Sequence, residues 1–435
     1  MGMSSPTVIT TPVAERARRR IALRLLPYLF FLYVIAYLDR GNLSYAALDM
    51  TGALGFTPEI YGFGAGIFFF GYFLLEIPGA ILVERWSARA WIARIMITWG
   101  IVAVFTGFIH TAHQFYWVRF LLGASEAGFF PGIVVYLSHW FRYEDRAKAM
   151  AMFMAAQSVA NMIGAPVSGL LLGVKWLGLA GWRWLFVLEG IPAVLFGIVT
   201  VFYLTDWPHQ ATWLPQDERE WIASELKQEK QARQAARFYS VWQALRQREV
   251  ILLTLALFFV ASTVYGFSFW LPTIIKKLSG STNLLVSLVA ALPYFVGFLA
   301  IMFVGWSSDR TRERRWHAAL CLLVASVGLL LSALTQNMPG VAISMFCLAA
   351  AGMYGYLPAF WSLPTSFLTG TAAAASIGLI NSVGNLGGFA GPYAVGYITK
   401  RAHTFTAGVL CLSASALVAS VLLLLLRRSK PEAIK

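Results

Sequence analysis

Asp39-Arg40-Gly41-Asn42 follows directly on the apolar run Leu32 to Leu38. An acid and an arginine this deep in a membrane-length helix are costly unless they face a polar cavity and are paired or used. A second such set stands in Arg119-Phe-Leu-Leu-Gly123-Ala-Ser-Glu126-Ala-Gly-Phe-Phe-Pro131. Arg119 and Glu126 are two helical turns apart and share one face. One helical bundle can bring these two acids and two arginines together. Such a cluster can hold a proton and an anion in exchange for one another. An arginine drawn to an incoming anion leaves its acid without a counter-charge, and that acid then binds a proton more readily. The competing interpretation is a static charge network that locks the N-terminal part of the fold.

The second half of the chain carries almost no charge inside its apolar runs. Its polar content is Tyr265, Trp361-Ser362 and the run Asn381-Ser382-Val383-Gly384-Asn385-Leu386-Gly387-Gly388. Asn381 and Asn385 are i and i+4, on one face beside glycines. They can hydrogen-bond carboxylate or hydroxyl oxygens, or act as glue between helices. Gln157 and Asn161 have the same spacing and the same two readings. Tyr37 and Tyr72 offer hydroxyl groups, although packing is the default role of an aromatic in a chain with 15% of them. Of the other intramembrane acids, Glu76 reads as part of a gate and Glu189 as a structural pairing residue. Charge from one half and neutral hydrogen-bonding groups from the other suit a small polar organic anion. A bulky lipophilic cation would favour an aromatic cavity with acids and no arginine.

These residues need elements to hold them. The chain has 435 residues, 58% of them hydrophobic and 12% charged, with a mean hydropathy of +0.66. That is not the composition of a soluble globular domain. Twelve apolar runs are each long enough to span a bilayer as a helix: 25–47, 60–82, 91–110, 115–138, 148–172, 184–204, 250–275, 284–305, 317–335, 340–362, 372–398 and 405–426. The expected fold is all-α and membrane-embedded, with two pseudo-symmetric six-helix bundles at 25–204 and 250–427. Cytoplasmic tails are expected at 1–24 and 428–435. A cytoplasmic linker is expected at 205–249, with Pro215-Gln216-Asp217-Glu218 as a helix start.

The net charge of +14 lies between spans, not in a nucleic-acid-binding patch. Arg16, Arg18, Arg19, Arg20 and Arg24 precede span 1, Arg142, Arg146 and Lys148 follow span 4, and Arg427, Arg428 and Lys430 follow span 12. The alternate connections carry far fewer cations, which places both termini in the cytoplasm. Cys321, Cys347 and Cys411 sit in apolar runs without metal spacing. No paired histidines, Gly-x-Ser-x-Gly elbow or phosphate-binding loop points to an enzyme. No cofactor, metal or nucleic acid is expected, only protons as coupling ion, with membrane lipid around a monomer. The basic stretch before span 1 leads into a run too long for a signal-peptide core, so span 1 is expected to remain as an anchor.

The halves repeat. Gly79-Ala-Ile-Leu-Val-Glu84-Arg85-Trp86-Ser87-Ala88-Arg89 follows span 2, and Gly305-Trp-Ser-Ser-Asp309-Arg310-Thr-Arg312-Glu-Arg314-Arg315 follows span 8. Each has a small residue, an acid–arginine pair and further arginine, at equivalent places in a short connection. These eight positions (Gly79, Glu84, Arg85, Arg89, Gly305, Asp309, Arg310 and Arg314) read as a cytoplasmic gate, whose bridges open and close as the halves rock. The loops resemble the signature of the major facilitator superfamily, over essentially the whole chain. Within it, Tyr37-Leu38-Asp39-Arg40-Gly41-Asn42-Leu43-Ser44 with Arg119…Glu126 resembles the anion:cation symporter family. Gly64 to Phe73, Trp91 to Gly100 and Asn381 to Pro392 are similar to its tartrate-transporter branch.

That resemblance implies import of a small organic carboxylate, such as tartrate or a sugar acid, with protons across the cytoplasmic membrane. Arg40 would bind the carboxylate, and Tyr37, Tyr72 and Gln157 would line the site. Asp39 and Glu126 would carry protons, with Arg119 modulating Glu126. Trp361 and Asn381 or Asn385 would complete the site from the second half, where Tyr265 is a further candidate. Alternatives are a drug/proton antiporter of the same fold, for which Gly164-Ala-Pro166-Val-Ser-Gly169 speaks, and a transport-inactive ligand sensor.

Overall fold

A computed structural model describes residues 12–234, 246–367 and 370–426. The side chains of Glu84 and Arg85 lie outside the described residues. Every regular element described is a helix. The first half contains α1 (Pro12–Leu54), α2 (Pro58–Arg85), α3 (Ala88–Thr106), α4 (Ala112–Glu126), α5 (Phe129–Ser138), α6 (Tyr143–Leu171) and α7 (Gly181–Tyr203). The connecting helix α8 (Gln216–Gln234) follows. The second half contains α9 (Arg248–Ser279), α10 (Asn283–Thr311), α11 (Arg315–Leu334), α12 (Pro339–Gly355), α13 (Leu357–Phe367), α14 (Gly370–Asn385), α15 (Gly387–Ala402) and α16 (Thr406–Leu424).

Eleven stretches of described helix are long and apolar enough to cross a membrane. The twelfth crossing, expected as one span at 372–398, is the pair α14 and α15, of 16 residues each, meeting at Leu386. Span 4 is likewise two helices, because Gly128, two residues after Glu126, adopts φ +87°. Span 10, its equivalent in the second half, divides at Tyr356. Irregular backbone is tolerated at membrane depth only where protein or a polar cavity covers it. The large side chains left exposed, such as Phe202, Phe303 and Leu334, are the apolar surface a bilayer would cover.

The basic stretch before span 1 is not a separate tail from residue 12 onward. It is the first turns of α1, which runs unbroken for 43 residues. Its arginines meet the linker: Arg16 bonds Asp217 at 3.0 Å, and Arg20 lies 3.6 Å from Glu218. Arg142 and Arg146, before and on α6, reach Glu225 and Glu229 at 3.3 and 2.9 Å. The helix α8 is therefore clipped to the first half.

The halves join mainly on the side opposite that linker. The helices α2 and α15 approach so closely that a Cβ on Gly62 would lie 2.5 Å from the Pro392 carbonyl oxygen. One on Gly396 would lie 2.3 Å from that of Pro58. Small residues allow this approach. Tyr61 donates to the Phe269 carbonyl at 2.9 Å, Asn283 donates to Asp49 at 2.8 Å, and Lys400 pairs with Glu59 at 2.5 Å. These contacts hold the two halves together on the far side.

Candidate functional site

Arg40 is held by α1 inside the first half, with part of its guanidinium open to a cleft between the halves. Its Nε and Nη2 both donate to Glu126 Oε1, each at 2.7 Å. Glu126 is 1% exposed, and its second oxygen has no hydrogen-bond partner. It stands on the last turn of α4, where the break at Gly128 ends the helix. The rings of Tyr37, Phe68 and Tyr72 surround the guanidinium at 5.3, 5.7 and 5.3 Å. Aromatic faces attract a cation without neutralising it. The Arg40 charge is thus balanced by Glu126 alone and is open to competition from a second anion.

The cleft beside it is narrow, with a cavity volume of about 10 Å³, and is lined by Arg40, Phe68, Phe69, Tyr72, Tyr265 and Asn385. Asn385, at the C-terminal end of α14, is the second half's polar contribution, with Tyr265 of α9. Asn381 does not line the cleft. One turn earlier on α14, its Nδ2 donates to Glu76 Oε1 at 2.8 Å, linking the two halves on the linker side of Arg40. Gln157 and Trp361 are half-buried and lie outside the cleft lining. Trp361 packs edge-on against Phe360 in the second half's own core. Phe68 and Phe69 were not anticipated from sequence. Nothing in the run Phe68-Phe69-Phe70 separates these two from Phe70, which is 44% exposed.

Asp39 points away from Arg40, as neighbours on a helix do. It is buried, and accepts a hydrogen bond from Asn42 at 3.1 Å. Arg119 shares a helix face with Glu126 but makes no ion pair with it among the described residues. Two turns of helix put about 10.5 Å of axial rise between them. Arg119 is 1% exposed, lies 5.0 Å over the Phe68 ring, and has no hydrogen-bond partner at Nε or Nη1. Glu189, expected to pair, has no cation partner among the described residues. Ser168 donates to it at 3.4 Å.

Among the described residues, the charged residues of the two gate loops form bridges only within their own halves, whereas Glu76, also read as part of the gate, is bonded across the halves by Asn381. Asp309 pairs with Arg314 at 2.6 Å. Arg89 donates its backbone N–H to Asp206 at 2.9 Å, with the guanidinium 3.8 Å away. Arg310 lies over Trp306 at 5.5 Å. Gly79 allows α2 to approach Gly128, and Gly305 lies beside Pro358. Glu84 and Arg85 lie outside the described side chains.

A family model described as Major Facilitator Superfamily matches residues 29–392. Two proteins of Agrobacterium vitis, each described as "Putative tartrate transporter", are 42% and 43% identical to the chain. The matches cover 98% of this chain in both cases, and 95% and 98% of the relatives. A "Quinolone resistance transporter" of Acinetobacter baumannii is 37% identical over 91% of each chain. Among solved structures, a bacterial homologue of the human lysosomal transporter Spinster, in an inward-facing, unoccupied conformation, superposes with a TM-score of 0.76. It is 19% identical, and the match covers 94% of this chain and 95% of that one.

Proposed function

The chain belongs to the major facilitator superfamily of membrane transporters, and from that premise we propose that it imports a small organic carboxylate together with protons. The observation that carries this reading is the Arg40–Glu126 pair at the wall of the cleft. A carboxylate in the cleft competes with Glu126 for the same guanidinium. When it wins, Glu126 is left buried without a counter-charge and takes up a proton. Anion binding and protonation are then one event. Asp39 serves as a second proton carrier, and Arg119, between the acids, biases their charge state. Tyr72, Tyr265 and Asn385 hydrogen-bond the rest of the substrate.

Similarity to the two Agrobacterium vitis proteins makes tartrate the first compound to test. The cationic connections on the linker side orient that side, and both termini, to the cytoplasm. In that orientation the contacts on the far side close the site to the outside. The setting is the cytoplasmic membrane, and one chain contains the whole path.

A second reading has specific support. The cleft is mostly aromatic, and the quinolone-resistance relative spans almost the whole chain. A drug/proton antiporter would use the same aromatic walls. Purified protein in liposomes decides between them. L-tartrate or a related carboxylate should accumulate when the lumen is alkaline, with protons moving inward and with loss in Arg40→Ala. Proton release driven by a quinolone, with no response to carboxylates, would overturn the symport reading.

A further inference from the structure

Glu189 on α7 is a buried acid that the anion site does not use. It is 7% exposed, and no arginine, lysine or histidine pairs with it among the described residues. Its Oε1 accepts a hydrogen bond from Ser168 of α6, and its Oε2 has no partner. Asn42 of α1 stands beside it, and Asp39 lies within electrostatic range. The Asn42 amide meanwhile donates to Asp39 Oδ1 at 3.1 Å, and its own Oδ1 is buried without a partner. One neutral amide therefore stands between two buried carboxyl groups on different helices, bonded to Asp39 and next to Glu189.

Ser168 connects this pair to a second cleft, distinct from the one at Arg40. Tyr37, Gly41, Tyr45, Asn161, Ser168 and Tyr294 line it, around a cavity volume of about 20 Å³. Its place along α1, from Tyr37 to Tyr45, runs from the level of Arg40 toward the far side. Tyr294 comes from α10, so the second cleft too lies between the halves.

The groups facing Glu189 are few. From α1 they are Asp39, Asn42 and Tyr45, and from α6, Ser168. The stretch of α3 packed on this part of α7, Met96 to Val104, carries no titratable side chain. Arg183, earlier on α7, is bonded to the Gly107 carbonyl instead. An ionised Glu189 would be a buried charge without a counter-charge, whereas a protonated one needs only hydrogen-bond acceptors. Intramembrane acids of this kind mark proton pathways.

We propose that Glu189 is a proton-binding site on the route between the far-side cleft and Asp39, with Ser168 at its mouth and Asn42 as the link. The proposal rests on the proton-coupled reading above. Because Asp39 and Glu189 lie within electrostatic range of each other on either side of Asn42, an ionised carboxylate on one favours protonation of the other. A proton entering by Ser168 is then handed inward as the halves rock.

Infrared difference spectroscopy on the full chain in liposomes tests this without any substrate. Acidification should produce a protonated-carboxyl band that is missing in Glu189→Gln and displaced in Asn42→Ala. Glu189→Asp, which keeps the carboxyl group, should show the band shifted. In transport, Glu189→Gln should retain tartrate exchange and lose most proton-driven accumulation. Identical pH-difference spectra in wild type and Glu189→Gln would overturn the proposal, as would unchanged accumulation in that variant. Adding L-tartrate separates this from the reading it rests on. Failure of tartrate to alter the band that Glu126→Gln removes would count against the anion site, while the Glu189 band would stand or fall by pH alone.

Discussion

The two halves have the same helical plan and different chemistry. In the first half, Asp39, Glu76, Arg119, Glu126 and Glu189 are all buried, and Arg40 is nearly so. In the second, the buried polar residues described are serines and threonines, among them Ser262, Thr263, Ser326 and Ser413. Many of these hydroxyls return to backbone carbonyls, as Thr263 does to Phe259 and Ser326 to Ser413. The second half is thus electrically quiet. It supplies a wall, Tyr265 and Asn385, and contacts that close on the first half. In the proposed mechanism, charge is moved by the first bundle, and the second responds by docking against it or releasing it.

The strongest way to break the contrast is to remove the charge for which Glu126 and, in the proposed mechanism, the substrate compete. Arg40→Ala should weaken carboxylate binding by about 100-fold, since losing one partner of a buried charge pair costs about 3 kcal/mol. A thermal-shift or equilibrium-binding titration with L-tartrate reads this directly. Next, Asp39→Asn and Glu126→Gln should abolish accumulation driven by a pH gradient while preserving exchange across equal concentrations. An Asp39→Asn variant that still concentrates substrate would remove Asp39 from the coupling machinery.

Docking of the second half is tested at Gly62. A side chain there meets the Pro392 carbonyl at 2.5 Å, so Gly62→Val should hold the far side open. Cysteine accessibility on the far side should rise, while net uptake falls more steeply than binding. A smaller effect is expected in the second half's own site. Asn385→Ala should raise the apparent KM about fivefold, the loss of roughly 1 kcal/mol for a neutral hydrogen bond. Asn381→Ala, whose amide is bonded to Glu76, should change the rate of reorientation and leave affinity within about twofold. If Asn381→Ala weakens binding more than Asn385→Ala, the assignment of the two asparagines is reversed. Smallest of all is Lys400→Gln. Its bridge to Glu59 is half exposed, and such pairs contribute about 0–1 kcal/mol.

Much of the charged site was legible because intramembrane charge is so costly that it marks itself. Asp39, Arg40, Arg119 and Glu126 stand out of apolar runs in which nothing else is ionised. The pairing among them was not legible. Arg119 and Glu126 share a face, yet it is Arg40, from another helix, that binds Glu126. The neutral residues were legible only as types. Asn381 and Asn385 have the same side chain and the same periodicity. Only the meeting of α14 with α2 determines that one bonds Glu76 while the other faces the cleft. Phe68 and Phe69 carry no signal beyond being apolar.

By itself the sequence determined the solvent of this protein, its helical class and its division into two bundles. It also marked where charge enters the membrane. Each of these follows from hydropathy, from charge asymmetry between connections, or from a repeat, and all are properties of short stretches. The tertiary structure decided which acid holds Arg40, which asparagine reaches the cleft, where spans 4, 10 and 11 divide, and that Glu189 is left without a cation. These are matters of distance between helices far apart in the chain. Periodicity gives the face on which a residue lies, whereas its partner depends on which helix packs against that face and at what height.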